Sequence, residues 1–71
     1  MKPVFVEFRG LNNPVWINVL RVESIELGIK EIGNQKVQGT IIAMNSGEQH
    51  FVRDFTVNVK SVIDAQIAKV N

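Results

Sequence analysis

Hydrophobic residues recur at every second position along much of the chain between residues 3 and 53. Val4, Val6 and Phe8, for example, are separated by single residues. A period of two is typical of β-strands. We therefore predict extended segments at residues 3–9, 15–17, 22–29, 36–44 and 49–53, with a short helical turn at residues 18–21.

The period changes after Asp54. Apolar residues then recur at helical spacing, and they are Val59, Val62, Ile63, Ile67 and Val70. This spacing predicts a helix over residues 57–69, capped by the side-chain oxygen of Asp54 or Thr56. Turns are predicted at residues 10–14, 33–35 and 45–48, the last with Gly47 in the left-handed conformation.

The composition favours β-structure, because eleven valines and eight isoleucines stand against three leucines. Such β-branched side chains pack well on a pleated surface. We predict one α+β domain over residues 1–71, with the order β-β-β-β-α. Its strands would form a four-stranded antiparallel, meander-like sheet, with the C-terminal helix packed on one face. The helix is expected to contact Val4, Val6, Phe8 and Ile25 or their neighbours.

The predicted strands carry apolar residues on both faces, whereas a sheet with one solvated face normally alternates apolar and polar residues. Ile41 and Ile42 point to opposite faces, and so do Phe51 and Val52. A helix of 13 residues is about 20 Å long and covers one face. We therefore predict that the second face is buried, most simply by another copy of the chain. The alternative is a scatter of exposed apolar residues, which is common in monomers.

The length and charge of the chain limit the kinds of partner. A domain of 71 residues buries only about 60% of the surface of its unfolded chain, so self-association is a natural source of extra stability. The net charge is +1, which provides no strong field for nucleic acid or for an anionic membrane. The sequence has no apolar run long enough to span a bilayer and no secretory signal, so we expect a cytoplasmic protein and no membrane partner.

The residue types used in catalysis and metal binding are few and dispersed. Cysteine is absent, which excludes disulfides, thiolate zinc sites and cysteine nucleophiles. His50 is the single histidine and is interpreted most simply as a surface or half-buried strand residue. The seven carboxylates are spread singly, and no glycine-rich phosphate loop is present. We therefore predict no catalytic residue, no metal and no cofactor, and an enzyme is the least favoured class.

Aromatic and basic residues are the candidates for a binding surface. Small β-domains bind single-stranded nucleic acid by stacking bases on exposed aromatics beside basic side chains. The candidates are Phe5, Trp16 and Phe51 for stacking, and Arg9, Arg21, Lys36 and Arg53 for phosphate. The near balance of eight basic and seven acidic residues argues against this function. The aromatic residues are interpreted more simply as core, although Trp16, beside a turn, is also suited to anchor a protein interface.

Two segments resemble a known family. Residues 15–26 contain Asn18 and then Ile25 and Glu26, and residues 46–53 form a glycine hairpin with a return strand before the helix. This layout resembles that of the FlbD-type small flagellar-operon proteins and of similar small phage and bacterial proteins. The resemblance implies a cytoplasmic regulatory or assembly factor and transfers no catalytic residue. Residues 35–44, with Gly39, are similar to the bent strand of Sm-like RNA-binding proteins, which place their helix first.

These observations lead to three hypotheses about function. The first is a small non-enzymatic protein-binding module of bacterial or phage type, regulatory or assembly-related, that forms a homodimer. It would present a sheet face or a strand edge to a protein partner. The second is a single-stranded nucleic-acid-binding β-domain, and the third is a structural subunit of a larger assembly.

Overall fold

The protein was analysed as a computed structural model, which describes the backbone of residues 2–70 and the side chains of residues 2–69. It is an α+β fold, as predicted, with one C-terminal helix. The elements are β1 (Phe5–Arg9), β2 (Pro14–Asn18), a 3-10 turn (Val19–Arg21), β3 (Val22–Ile32), β4 (Gln35–Met44), β5 (Gln49–Val52) and α1 (Thr56–Val70). Gly33 and Gly47 have positive φ angles of 62° and 95°, so the left-handed position predicted for Gly47 is confirmed.

The prediction of a single four-stranded sheet is wrong. Five strands form two antiparallel sheets, β1–β2 and β3–β4–β5. The physical reason is the 3-10 turn, which redirects the chain between β2 and β3. Asn18 stabilises this turn, because its Oδ1 atom accepts hydrogen bonds from the backbone N–H groups of Leu20 (3.2 Å) and Val4 (3.3 Å). The two sheets are joined at their ends, where the N–H group of Arg53 donates to the carbonyl of Arg9 at 2.6 Å.

The β3–β4 hairpin is much longer than its neighbours. β3 has 11 residues and β4 has 10, whereas β5 has 4 and pairs only with residues 40–43 of β4. Residues 28–39 therefore form a two-stranded ribbon beyond the end of β5, and we call this segment the arm. It contributes to the elongated dimensions of 44 × 22 × 19 Å.

The core lies between the two sheets and α1. Its buried apolar side chains are Phe8, Ile17, Val19, Ile42, Val52, Val59 and Ile63. The predicted contact partners Val4, Val6 and Ile25 are partly buried around this cluster, so that part of the packing prediction is confirmed. Val62 was predicted on the buried face of the helix, but it is 36% exposed, because it lies on the flank of α1. The side chain of Val70 lies outside the described residues.

Residues at the junction of β5 and α1 connect the two sheets to the helix. Thr40 is fully buried, and its hydroxyl donates to the carbonyl of Asp54 (2.8 Å) and lies 3.0 Å from the hydroxyl of Thr56. Asp54 Oδ1 accepts from the backbone N–H of Arg9 at 3.0 Å. The side chains of Asp54 and Thr56, which were predicted to cap the helix, thus form hydrogen bonds to β1 and β4. Within residues 2–70 no helix has both the length and the apolar character to cross a membrane.

Candidate binding surfaces

Two aromatic side chains lie together on the outer face of the β1–β2 sheet. Antiparallel register places Trp16 opposite Glu7 and Phe5 opposite Asn18, so Phe5 and Trp16 are diagonal neighbours on one face. The neighbours of Trp16 in sequence, Val15 and Ile17, point to the core instead. Both aromatics are more than half exposed. The interpretation of Trp16 and Phe5 as core residues is therefore wrong.

These two residues line an open groove of about 480 Å³. We call it the aromatic groove, and its lining includes Phe5, Trp16, Arg21, Met44, Glu48 and His50. The carbonyl of Arg21 accepts from the N–H of Asn45 at 2.9 Å, which fixes the rim of the groove to the β4–β5 hairpin. His50 Nε2 lies 3.4 Å from Glu48 Oε2. The groove thus combines two exposed aromatic rings with a rim that carries both signs of charge.

The predicted residues Arg9 and Arg53 lie elsewhere. They line a second groove of about 430 Å³ at the β1–β2 turn, together with Glu7 and Asp54. Arg9 Nε is 3.7 Å from Asp54 Oδ1. Two guanidinium groups beside two carboxylates provide little net field for phosphate. The structure therefore separates these arginines from the aromatic groove.

Phe51 lies in a third place, on the outer face of β5. Gly28 and Gly39 oppose each other in the β3–β4 register. A Cβ atom at Gly28 would meet Phe51 Cε2 at 3.3 Å, and one at Gly39 would meet Phe51 Cζ at 2.9 Å. The ring therefore packs over the glycine pair at the base of the arm, with Lys30 Nζ 5.8 Å from its centroid. Phe51 is half-buried, and its role is structural packing.

The largest feature that the sequence analysis missed is the apolar surface of the arm and its base. Leu27 is 58% exposed, Ile29 is 61% exposed and Ile32 is 48% exposed. A signal was present, since the eight residues predicted for this strand, 22–29, would extend about 27 Å at 3.4 Å per residue, whereas the predicted helix covers about 20 Å. Part of the strand must therefore extend beyond the helix.

Side chains that could bind a metal ion do not converge within the described residues. No set of three or more His, Asp or Glu side chains there is arranged to hold a metal ion. His50 has Glu48 as its ionic neighbour, on the exposed rim of the aromatic groove. The sites that the geometry offers are therefore apolar and aromatic surfaces.

Comparison with known proteins leaves the family open. The resemblance to the FlbD-type proteins stays a prediction from residues 15–26 and 46–53. No family model, no curated protein and no solved structure matches the chain.

Proposed function

We propose that this chain is a small non-enzymatic protein-binding module, of a regulatory or assembly type found in bacteria or phages, that functions as a homodimer in the cytoplasm. The observation that carries the proposal is the exposure of apolar side chains on both faces of β3, Leu27 and Ile29 on one face and Ile32 on the other. The cysteine-free composition agrees with a reducing compartment.

The arm needs a partner for a physical reason. A two-stranded ribbon is marginally stable in water on its own, because it has little core. Exposed strand edges also attract other strands unless they are covered. Ile29 and Ile32 stay 61% and 48% exposed in a single chain, so their fuller burial requires a second molecule. A second copy supplies such a surface without any other component.

Solution mass tests this proposal directly. Light scattering over a range of protein concentrations is expected to give a species of twice the 8.0 kDa chain mass. Ile29→Asp should shift this species towards the monomer, because a carboxylate would be buried in the interface. Val57→Asp is the matched control, since Val57 is 72% exposed on α1 and lies outside the arm.

Each outcome bears on the proposal. A dimer that Ile29→Asp disrupts and Val57→Asp leaves intact supports it. A monomer at every concentration overturns the homodimer, and a dimer that both variants leave intact shows that the arm is not the interface. Larger species that grow with concentration favour the structural subunit of an assembly.

The aromatic groove favours a second candidate, a single-stranded nucleic-acid-binding domain. Phe5 and Trp16 present adjacent exposed rings beside Arg21, which is an arrangement that stacks bases. Titration with a single-stranded oligonucleotide, followed by the fluorescence of Trp16, tests it. Binding that weakens steeply with salt and is lost in Phe5→Ala supports this candidate, and unchanged fluorescence excludes it.

A further inference from the structure

β3 lies at the edge of its sheet. Within residues 2–70 it pairs with β4 alone, so its opposite edge has no strand beside it. The register is irregular between Val22 and Ser24 and regular from Ser24 to Ile32. This regular segment has nine residues, from which it follows that Gly28 is its central residue. No proline interrupts it, so each alternate residue whose backbone groups point away from β4 has an N–H group that can donate at the free edge.

A second copy can pair with this edge in only a few ways. In antiparallel pairing, directly opposed side chains lie on the same face of the sheet. A two-fold axis between two copies of β3 must therefore lie midway between one residue, the central residue, and its own copy. Any other position would place side chains from different faces opposite each other. Each choice of central residue fixes all the other pairs.

The charged side chains of β3 distinguish between these possible central residues. With Gly28 at the centre, Glu26 lies opposite Lys30 of the second copy, and symmetry makes this pair twice. With Leu27 at the centre, Glu26 lies opposite Gly28 and Lys30 lies opposite Ser24, so no opposite-charge pair forms in the regular segment. With the axis on Glu26 or Lys30, a charged residue meets its own copy.

The Gly28 register also pairs apolar side chains with each other. Leu27 lies opposite Ile29 of the second copy, again twice, and both are exposed in one chain. With Ile29 at the centre, Glu26 would lie opposite Ile32 and Glu31 opposite Leu27, and no opposite-charge pair would form. The Gly28 register has one such mismatch, Ile25 opposite Glu31, and keeps the pair of Glu26 with Lys30. Glycine as the central residue means that no side chain lies directly opposite its own copy. The Gly28 register uses all nine regular residues, over about 30 Å.

We infer that two copies of this chain associate through antiparallel pairing of their β3 edges, with Gly28 on the two-fold axis, to form one six-stranded sheet. This inference rests on the proposed homodimer and names its surface and register. Glu26 and Lys30 select the register, and Leu27 and Ile29 supply its apolar contacts. The second copy is favoured over another strand because the edge is complementary to itself.

Disulfide trapping measures the register, because the chain has no cysteine of its own. Leu27→Cys and Ile29→Cys are made as separate proteins at exposed positions, oxidised mildly alone and as a mixture. Directly opposed residues have Cβ atoms about 4.5–5.5 Å apart, whereas diagonal ones are about 7–8 Å apart. The Gly28 register predicts rapid cross-linking of the mixture and slow cross-linking of either protein alone.

The other patterns overturn the inference. Rapid cross-linking of Leu27→Cys alone places the axis on Leu27, and that of Ile29→Cys alone places it on Ile29. A dimer by light scattering that cross-links in none of the three samples uses another surface, so the proposed homodimer stands and this inference fails. If light scattering shows only a monomer, both the proposed homodimer and the β3 pairing are overturned.

Charge exchange provides an independent test. Glu26→Lys and Lys30→Glu, made singly, should each raise the dissociation constant of the dimer about tenfold, because two opposite-charge pairs become repulsive. The double variant restores both pairs and should recover most of the affinity. Lys69→Glu, which makes the same charge change at an exposed position of α1 outside the arm, should have little effect. A double variant as weak as the singles would overturn the pairing of Glu26 with Lys30.

Discussion

The body and the arm are built from the same kind of strand but differ in what covers them. In the body, Ile42 on β4 is fully buried under α1 and the β1–β2 sheet. In the arm, Ile29 on β3 lies on the same face of the sheet and is 61% exposed. Alternation of residues therefore specifies which face a side chain occupies, whereas burial depends on whether another element reaches that part of the face.

The comparison has a functional meaning. The arm extends beyond the part of the sheet that α1 covers. Extending the hairpin in this way adds little to the stability of a single chain. The arm continues for residues 28–39 with exposed isoleucines, which is the arrangement expected of a surface that contacts another molecule. Stability variants in the two regions measure this difference.

The largest effect is expected at the buried isoleucine. Ile42→Ala should lower the free energy of unfolding by about 2–5 kcal/mol, because it removes buried methyl groups and leaves a cavity. Ile29→Ala should lower it by less than about 1 kcal/mol when urea unfolding is extrapolated to low protein concentration. Equal losses for the two variants would show that the arm is packed against the body.

The glycine pair at the boundary should give the next largest effect. Gly39→Ala should cost about 3 kcal/mol, because its Cβ atom would overlap the backbone carbonyl of Val52, which cannot move independently. Gly28→Ala should cost about 1–2 kcal/mol, less than Gly39→Ala, since its nearest obstacle is a side-chain atom, Cγ1 of Ile41 at 2.6 Å, and not backbone. Thermal unfolding of the two variants side by side measures this, and the opposite ranking would contradict the packing described at the base of the arm.

Thr40 tests how firmly the body is joined to the helix. Thr40→Val keeps the shape of the side chain but leaves the carbonyl of Asp54 without its donor and the hydroxyl of Thr56 without its acceptor. We expect a loss of about 2 kcal/mol in urea unfolding, which is typical of buried polar groups left unpaired. Thr40→Ser retains the hydroxyl and is the control. A loss as large in Thr40→Ser would assign the effect to the methyl group.

The smallest effect is expected at Lys30, which contacts the body from the arm. Its ammonium lies 5.8 Å from the Phe51 centroid, so Lys30→Met should cost about 0.5 kcal/mol at low protein concentration. Lys30→Arg keeps the positive charge and should be nearly neutral. A loss above about 2 kcal/mol for Lys30→Met would mean that the arm depends on this contact for its position.

The sequence predicted most elements within a few residues, because alternation and turn residues are local signals. The helix was predicted at residues 57–69 and is Thr56–Val70, and the turn at Gly47 was placed correctly. The division into two sheets was not predicted, because strand association depends on contacts between distant residues such as Arg9 and Arg53.

The binding residues were predicted less well than the elements. Phe5, Trp16 and Arg21 do line one groove, whereas Arg9 and Arg53 line another. Phe51 was predicted as a binding residue because it is aromatic. Its packing over Gly28 and Gly39 depends on the β3–β4 register, which the sequence around Phe51 does not determine.

α1 follows all five strands in the chain, and this order determines when the core can form during synthesis. The three hairpins, β1–β2, β3–β4 and β4–β5, are made of neighbouring segments and form from local contacts within about 1–10 μs. The bond from Arg9 to Asp54, however, spans 45 residues, and the core needs Val59 and Ile63 from α1. A growing chain therefore makes its hairpins early but completes its core only after α1 emerges. We expect folding of the body to wait for the emergence of α1, with the β3 edge exposed from the moment the arm forms.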